Sequence, residues 1–287
     1  MLSKELRKLY RPFWIRVLMK WAKVRLKYRH CFESHHHTLP HELIVTLTSY
    51  PARFDSLHLT LMCLLSQSVK PDRVVLWVAH QDQKQLPKLV LELQDYGLEI
   101  RTTEDTRSYK KLIPSLETFP GAGFVIVDDD LYYPRNLLAN LLKSAQRFPD
   151  CVIAGRVHKV RYHQNGNILP YKQWDWNSRS EQSQDNFYTG CGGAFFPPKA
   201  FDQEVLNQEN FLKLAPFADD VWFNWMLKRN GTSLIALKTP FTFWDWPSSQ
   251  KVSLHAKNVS KEGNDQQIKA MIEHYGQLYQ RDEPKNV

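Results

Sequence analysis

The chain has 287 residues, 43% of them hydrophobic and 13% aromatic, which is enough to bury one large core. Its net charge of +8 sits at one end: the first thirty residues carry ten Lys and Arg and one acid, Glu5, and the rest is close to neutral. That placement argues against a nucleic-acid-binding fold, which carries its positive charge on the folded surface.

At the N-terminus, Leu2, Leu6, Leu9, Tyr10, Phe13, Trp14, Val17, Leu18, Trp21 and Val24 recur at helical spacing. Basic residues fall mostly between them, and Pro12 is placed to start or kink the helix. A basic amphipathic helix with Trp and Phe on its apolar side suits an anionic membrane surface. The alternative is a helix packed on the domain. Arg16 and Lys20 interrupt the apolar stretch that a secretory signal needs, and no run is long enough to span a bilayer. Residues 1–38 are therefore expected to form a membrane-associating segment and linker, and residues 39–287 the folded domain. Cys31, Cys63, Cys151 and Cys191 lie far apart without metal-type spacing, so they are expected to be reduced, in the cytoplasm. His35-His36-His37 lies in a polar stretch and is expected to be loop.

From residue 42 onward strands and helices alternate. Strands are predicted at 43–47, 74–78, 98–100 and 124–127, with helices between them. Asp55 is placed to cap one helix and Ser108 another; Leu86 to Tyr96 reads as a helix stopped by Gly97, and Pro134 opens the helix with Leu137, Leu138, Leu141 and Leu142. This rhythm implies an α/β fold, a mostly parallel sheet flanked by helices. The second half is less regular. A strand is expected at 151–154, a long polar loop at 157–189, and a glycine segment, Gly190-Cys191-Gly192-Gly193, before Ala194-Phe195-Phe196. Asp219 and Asp220 open a helix that ends at Asn230-Gly231.

The densest chemistry is Asp128-Asp129-Asp130, directly after the apolar run Phe124-Val125-Ile126-Val127. Three adjacent carboxylates repel one another unless a cation sits among them, and oxygen ligands suit Mg²⁺ or Mn²⁺. The carboxyl end of a strand in such a sheet is where ligands bind. A solvated acidic turn is the plain alternative, and a helix cap is the plain reading of Asp219-Asp220 alone.

Together, the acidic triplet, the glycine segment and the acidic pair resemble, in order and spacing, the nucleotide-sugar-dependent glycosyltransferases of the GT-A fold. The nearest likeness is to bacterial family-2-like enzymes of polysaccharide and lipopolysaccharide assembly. Arg107 to Pro114 and Asp128 to Pro134 carry the same resemblance, which spans residues 43 to about 240. It implies a GT-A (Rossmann-like) fold and a metal held by Asp128, Asp130 and His255. It implies a donor site formed by Thr48, Ser49, Tyr50, Arg53, Asp105, Lys110, Lys111, Asp128 and Asp129. It gives Asp220 as the base of an inverting transfer, with Asp219 orienting it or holding the acceptor. Gly192, Gly193, Trp174, Trp176, Trp222 and Trp246 are expected at the acceptor, since sugar rings stack on aromatic faces; buried Trp is the plain alternative. The partners implied are a nucleotide-sugar donor, a glycan or lipid-linked acceptor and an anionic membrane. The place implied is the inner face of the cell membrane. The chain departs from many family-2 enzymes at Ala79-His80-Gln81, where an acid usually reads the base. A nucleotidyltransferase would want a Gly-rich loop after the first strand, and Thr48 to Arg53 has no glycine. A non-catalytic carbohydrate-binding protein on the same fold is a further alternative, which intact acids at both positions disfavour.

Overall fold

The computed structural model describes residues 4–28, 34–179, 183–238, 244–247 and 263–279. The strands are β1 (His35–His36), β2 (Leu43–Thr48), β3 (Val69–Lys70), β4 (Arg73–Ala79), β5 (Leu98–Thr103), β6 (Gly123–Ile126), β7 (Val152–Ala154), β8 (Val157–Lys159), β9 (Asn186–Tyr188), β10 (Ala194–Phe196) and β11 (Leu234–Ala236). The helices are α1 (Lys4–Lys27), α2 (Phe54–Leu65), α3 (Lys88–Leu91), α4 (Ile113–Thr118), α5 (Leu137–Arg147), α6 (Gln208–Leu214), α7 (Asp219–Arg229) and α8 (Gly263–Tyr275).

Seven strands form one sheet in the order β11-β7-β10-β6-β2-β4-β5. All neighbours are parallel except β10, which runs antiparallel to both β6 and β7. The sheet is covered on both faces, so its central strands read as unbroken apolar runs. Along β6, Phe124 and Ile126 pack into one core and Val125 and Val127 into the other; Ile44 is likewise separated from Leu43, Val45 and Leu47 on β2. This is the two-residue alternation of a strand, with apolar atoms waiting on each side. The α/β expectation, a mostly parallel sheet flanked by helices, is therefore met.

Several local expectations differ. Asp55 lies inside the first turn of α2, and Arg53 holds the cap position without a side-chain bond. Ser108 does not cap; its buried hydroxyl sits in a 3₁₀ turn over Arg107–Lys111 and makes no hydrogen bond among the described residues. The expected helix at 86–96 is one α turn, α3, followed by a 3₁₀ turn that ends at Gly97 in the left-handed region, φ 98°. His35 and His36 pair with Val69 and Lys70 as a small parallel ladder, and His37 meets Asp72 at 2.7 Å. Of the cysteines, Cys63, Cys151 and Cys191 are free thiols.

α1 is one continuous helix through Pro12. It packs along α2, burying Ala22, Arg25 and Leu26. Among the described residues, no helix is long and apolar enough to cross a membrane.

Topology decides where the chemistry lies. β2 and β6 are parallel and register Thr46 opposite Ile126, so the residues that follow each strand emerge side by side. β10 is antiparallel and begins at Ala194, opposite both Ile126 and Ala154. The glycine segment that precedes β10 therefore arrives at the same edge of the sheet as the acidic triplet.

Candidate active site

The register puts Ser49 beside Asp129, and the Ser49 hydroxyl donates to Asp129 Oδ2 at 2.6 Å. Arg53, from the turn into α2, reaches Asp129 at 3.3 Å and also pairs with Asp130. The main chain of the triplet is pinned as well. Thr60 donates to the carbonyls of Asp129 and Leu131 at 2.9 and 3.0 Å, and Trp246 N donates to the Asp130 carbonyl at 2.9 Å. Asp128 N donates to the Tyr133 hydroxyl at 2.9 Å, and that hydroxyl donates to the Cys191 carbonyl at 3.2 Å. Tyr133 thus ties the triplet to the glycine segment.

Asp219 and Asp220 open α7 across from the triplet. Between them sits Lys111, buried at 6% exposure, with Nζ 2.8 Å from Asp219 and 3.3 Å from Asp128. Burial disfavours its charge, but Asp219, Asp128 and Asp220 outweigh burial and hold its pKa well above the ordinary lysine value. The Lys111 carbonyl accepts from Thr46 at 2.7 Å, which fixes the turn against β2.

Asp220 accepts from Gly190 N at 3.1 Å. A Cβ on Gly190 would stand 2.9 Å from Lys111 Nζ, 3.3 Å from Asp220 and 3.4 Å from Asp128. Gly190 is therefore where the triplet, the lysine and the pair converge, and any side chain there would fill the site. Gly192 and Gly193, expected at the acceptor, instead serve packing. A Cβ on Gly192 would meet Arg156 N at 2.4 Å, and the Gly193 carbonyl accepts from Gly155 N at 2.9 Å. Two backbones touch there, which only glycine permits.

The acids outnumber the cations, and their proton affinities show it. Burial pushes Asp129 up to about 7, against the pull of Arg53. Burial and then Asp128 push Asp130 up to about 6. Burial and then Asp219 push Asp220 up to about 7. Unfolded carboxylates titrate near 4, so between about pH 4 and pH 7 these three carboxyls bind more protons in the folded chain than in the unfolded one; His158, pushed down to about 3 by burial, opposes them with one proton. Stability is then expected to fall as pH rises through that window. Denaturant unfolding at pH 5 and pH 8 in the presence of EDTA checks it; equal stability, or more at pH 8, contradicts the assignment.

Other expected residues are placed as follows. Thr48 donates to the Trp77 carbonyl at 2.9 Å, so its hydroxyl is spent on the neighbouring strand. The Arg53 guanidinium lies 6.0 Å from the Tyr50 ring centre. Lys110 pairs with Asp105, which also accepts from Arg107 N at 3.1 Å, and Arg107 donates to the Pro216 carbonyl at 2.9 Å. Trp174, Trp222 and Trp246 are core residues, with indole N–H groups bonded to Leu169 O, Val205 O and Thr60 Oγ1 at 2.8, 3.1 and 2.8 Å. This corrects the expectation that they line an acceptor cleft. Trp176 is half-buried, stacked on His158 with ring centres 4.9 Å apart. His255 lies outside the described residues.

Arg156 was not singled out from sequence. It follows β7, donates to Cys191 Sγ and Asn177 Oδ1 at 3.0 Å each, and feels the charge of Asp220. Its position just past the carboxyl end of a sheet strand was the available signal.

Among the described residues, no three His, Cys, Asp or Glu side chains form a ready cage for a metal. A Mg²⁺- or Mn²⁺-sized ion does not need one, because one or two carboxylates plus a ligand's phosphate oxygens complete its shell. Asp128 and Asp130 fit that part: each is an oxygen donor, and Asp128 raises the proton affinity of Asp130.

No protein-family model and no curated protein matches the chain. Similar solved structures include a mannosyltransferase from Pyrobaculum calidifontis in complex with GDP-Man and Mn²⁺, at 16% identity and TM-score 0.49, covering 90% of this chain and 73% of that one. TarS of S. aureus in complex with UDP-GlcNAc matches at 15% identity and TM-score 0.46, covering 77% of this chain and 61% of that one. A CMP:2-keto-3-deoxy-manno-octonic acid synthetase complexed with CTP matches at 11% identity and TM-score 0.41, covering 81% and 100%. At these TM-scores the likeness carries no argument about the activity or substrate of this chain.

Proposed function

We propose that the chain is a metal-dependent glycosyltransferase that moves a sugar from a nucleotide-sugar, a UDP-sugar by preference, to a glycan or glycolipid acceptor of the cell surface. It works at the inner face of the cell membrane. The observation that supports this reading is the meeting of the triplet, Lys111 and the acidic pair around Gly190, at the carboxyl edge of a parallel sheet. A departing nucleoside diphosphate develops negative charge, and a divalent ion on Asp128 and Asp130 would neutralise it. Beside Lys111, Arg53 and Arg156 would add positive charge there; Ser49 and Asp129 set the position of Arg53. Tyr50, Thr48 and the Asp105–Lys110 loop border the donor side. The acceptor hydroxyl must lose a proton, and Asp220, with a pKa about 7, is a base matched to neutral pH. That assignment makes the reaction inverting. Asp219, held by Lys111, fixes the start of α7 and so the aim of Asp220. Trp176, half-buried beside Arg156, is the aromatic residue this reading assigns to the acceptor side. His255 is a further metal-ligand candidate on chemistry alone.

A thermal-shift screen against nucleoside diphosphates and nucleotide sugars tests this reading. With Mn²⁺, one nucleotide class at a hundred times its dissociation constant should stabilise the fold by about 2.7 kcal/mol. Asp130→Ala should abolish the Mn²⁺-dependent part. A metal-independent shift that survives Asp130→Ala contradicts the metal assignment, and no shift with any nucleotide contradicts the donor class.

A further inference from the structure

The apolar residues of α1 divide between two faces. Leu18, Met19, Ala22 and Leu26 pack on the domain. Tyr10, Phe13, Trp14, Val17, Trp21 and Val24, with Tyr28 just beyond, stay 37–61% exposed. Their spacing of three and four residues makes one stripe along the helix, about 27 Å from end to end. It is a concentrated feature: seven of the eleven exposed large hydrophobic residues of the described chain lie there. At 100° per residue, Arg16, Lys20, Lys23 and Lys27 form a row between the stripe and the packed face, and all four are exposed. Large aromatic side chains next to a row of lysines suit a phospholipid interface, where rings sit among headgroups and the cations meet phosphate. An acidic protein partner would meet the lysines but would leave a stripe of this length to be matched by a second apolar surface. The near-neutral charge of the remaining chain leaves this helix as the part that an anionic surface attracts.

The helix is not a loose tether. Arg25 is buried and donates to the Ser66 carbonyl at 3.1 Å and the Tyr132 hydroxyl at 3.4 Å. Arg11, in the same turn as Tyr10 and Trp14, pairs with Asp245. Asp245 bridges Leu131, and the next residue, Trp246, holds the Asp130 carbonyl. The stripe therefore ends beside the segment that supports the acidic triplet. We propose that the Tyr10–Tyr28 face of α1 docks on an anionic bilayer as a rigid part of the domain, so that the docked chain carries its acid cluster close to the membrane surface. Docking does not depend on the transferase reading; delivery of a membrane-borne acceptor does.

Flotation of the full-length chain with phosphatidylglycerol/phosphatidylcholine vesicles tests it without any substrate. The wild type should float with the vesicles and be released by high salt. Lys20→Gln/Lys23→Gln/Lys27→Gln should bind about 100-fold more weakly, and Phe13→Ala/Trp14→Ala/Val17→Ala should stay in the soluble fraction. Ala keeps the helix, and an unchanged melting curve shows that it does. Vesicles should also slow hydrogen exchange in residues 10–28 and 131–133 while sparing 88–96. A wild type that does not float, variants that float as well as it does, or a chain that instead dimerises through this face in light scattering overturns the docking. Protection of 10–28 without 131–133 overturns the placement of the acid cluster. Failure of the nucleotide thermal shift alongside normal flotation overturns the transferase reading alone.

Discussion

Replacing Asp220 with Asn is expected to lower the turnover of sugar transfer by about a thousandfold while leaving donor binding intact. The substitution keeps the shape of the side chain and an oxygen that accepts from Gly190 N, now 3.1 Å away. What it removes is the ability to take a proton. Because burial and Asp219 hold the Asp220 carboxyl at about 7, the basic form grows as pH rises through neutrality. The wild-type rate should therefore climb between about pH 6 and pH 8, and the climb should vanish in the residual activity of the variant. Stability should not fall, since Asn replaces a carboxylate whose charge is unfavourable in the fold. Steady-state transfer assays across that range, with the donor found by thermal shift, give the test. Full turnover in Asp220→Asn, or an unchanged pH profile, removes Asp220 as the base and with it the ground for inverting chemistry.

Much of this arrangement was legible in the sequence because it depends on backbone periodicity. The run Phe124 to Val127 could be buried only on both faces, so the carboxylates after it had to emerge at the end of a strand. The acids of the pair had to open a helix, since Val221, Trp222 and Trp225 follow at helical spacing. Side-chain partnerships across the sheet were not legible. Lys111 was a candidate for phosphate, yet it is already held between Asp128 and Asp219, a contact set by the Thr46 hydroxyl and the course of the 107–111 turn. Gly190 and Gly192 look equivalent in sequence. The antiparallel entry of β10 makes Gly192 meet the backbone at Gly155 and Arg156, and Gly190 meet the acids. The tryptophans suggested sugar stacking, but Trp246 is consumed in supporting the triplet through Thr60. Its neighbour Asp245 turns outward to Arg11. Composition cannot separate those two fates for adjacent residues.

The second large effect is expected at Lys111. Lys111→Met keeps the length of the buried chain and deletes its charge, which leaves Asp128 and Asp219 facing each other with no cation between them. Breaking a buried pair in this way costs about 3–5 kcal/mol, because the partners remain charged and poorly solvated. The cost should depend on pH. At pH 5 Asp129 and Asp220 hold their protons, and their repulsion on Asp128 and Asp219 is relieved; as pH rises past about 7 these two carboxyls begin to ionise and the deficit should grow. Adding Asp219→Asn to Lys111→Met should recover part of the loss, since the double variant removes one of the stranded charges. Mn²⁺ should recover another part at pH 8 if the triplet accepts a metal, because the ion restores positive charge at Asp128. Urea unfolding of the single and double variants at both pH values, with and without Mn²⁺, separates these contributions. A Lys111→Met protein as stable as the wild type at pH 8 would mean that solvent already screens the acid cluster, and the balance of charge drawn for this site would have to be abandoned.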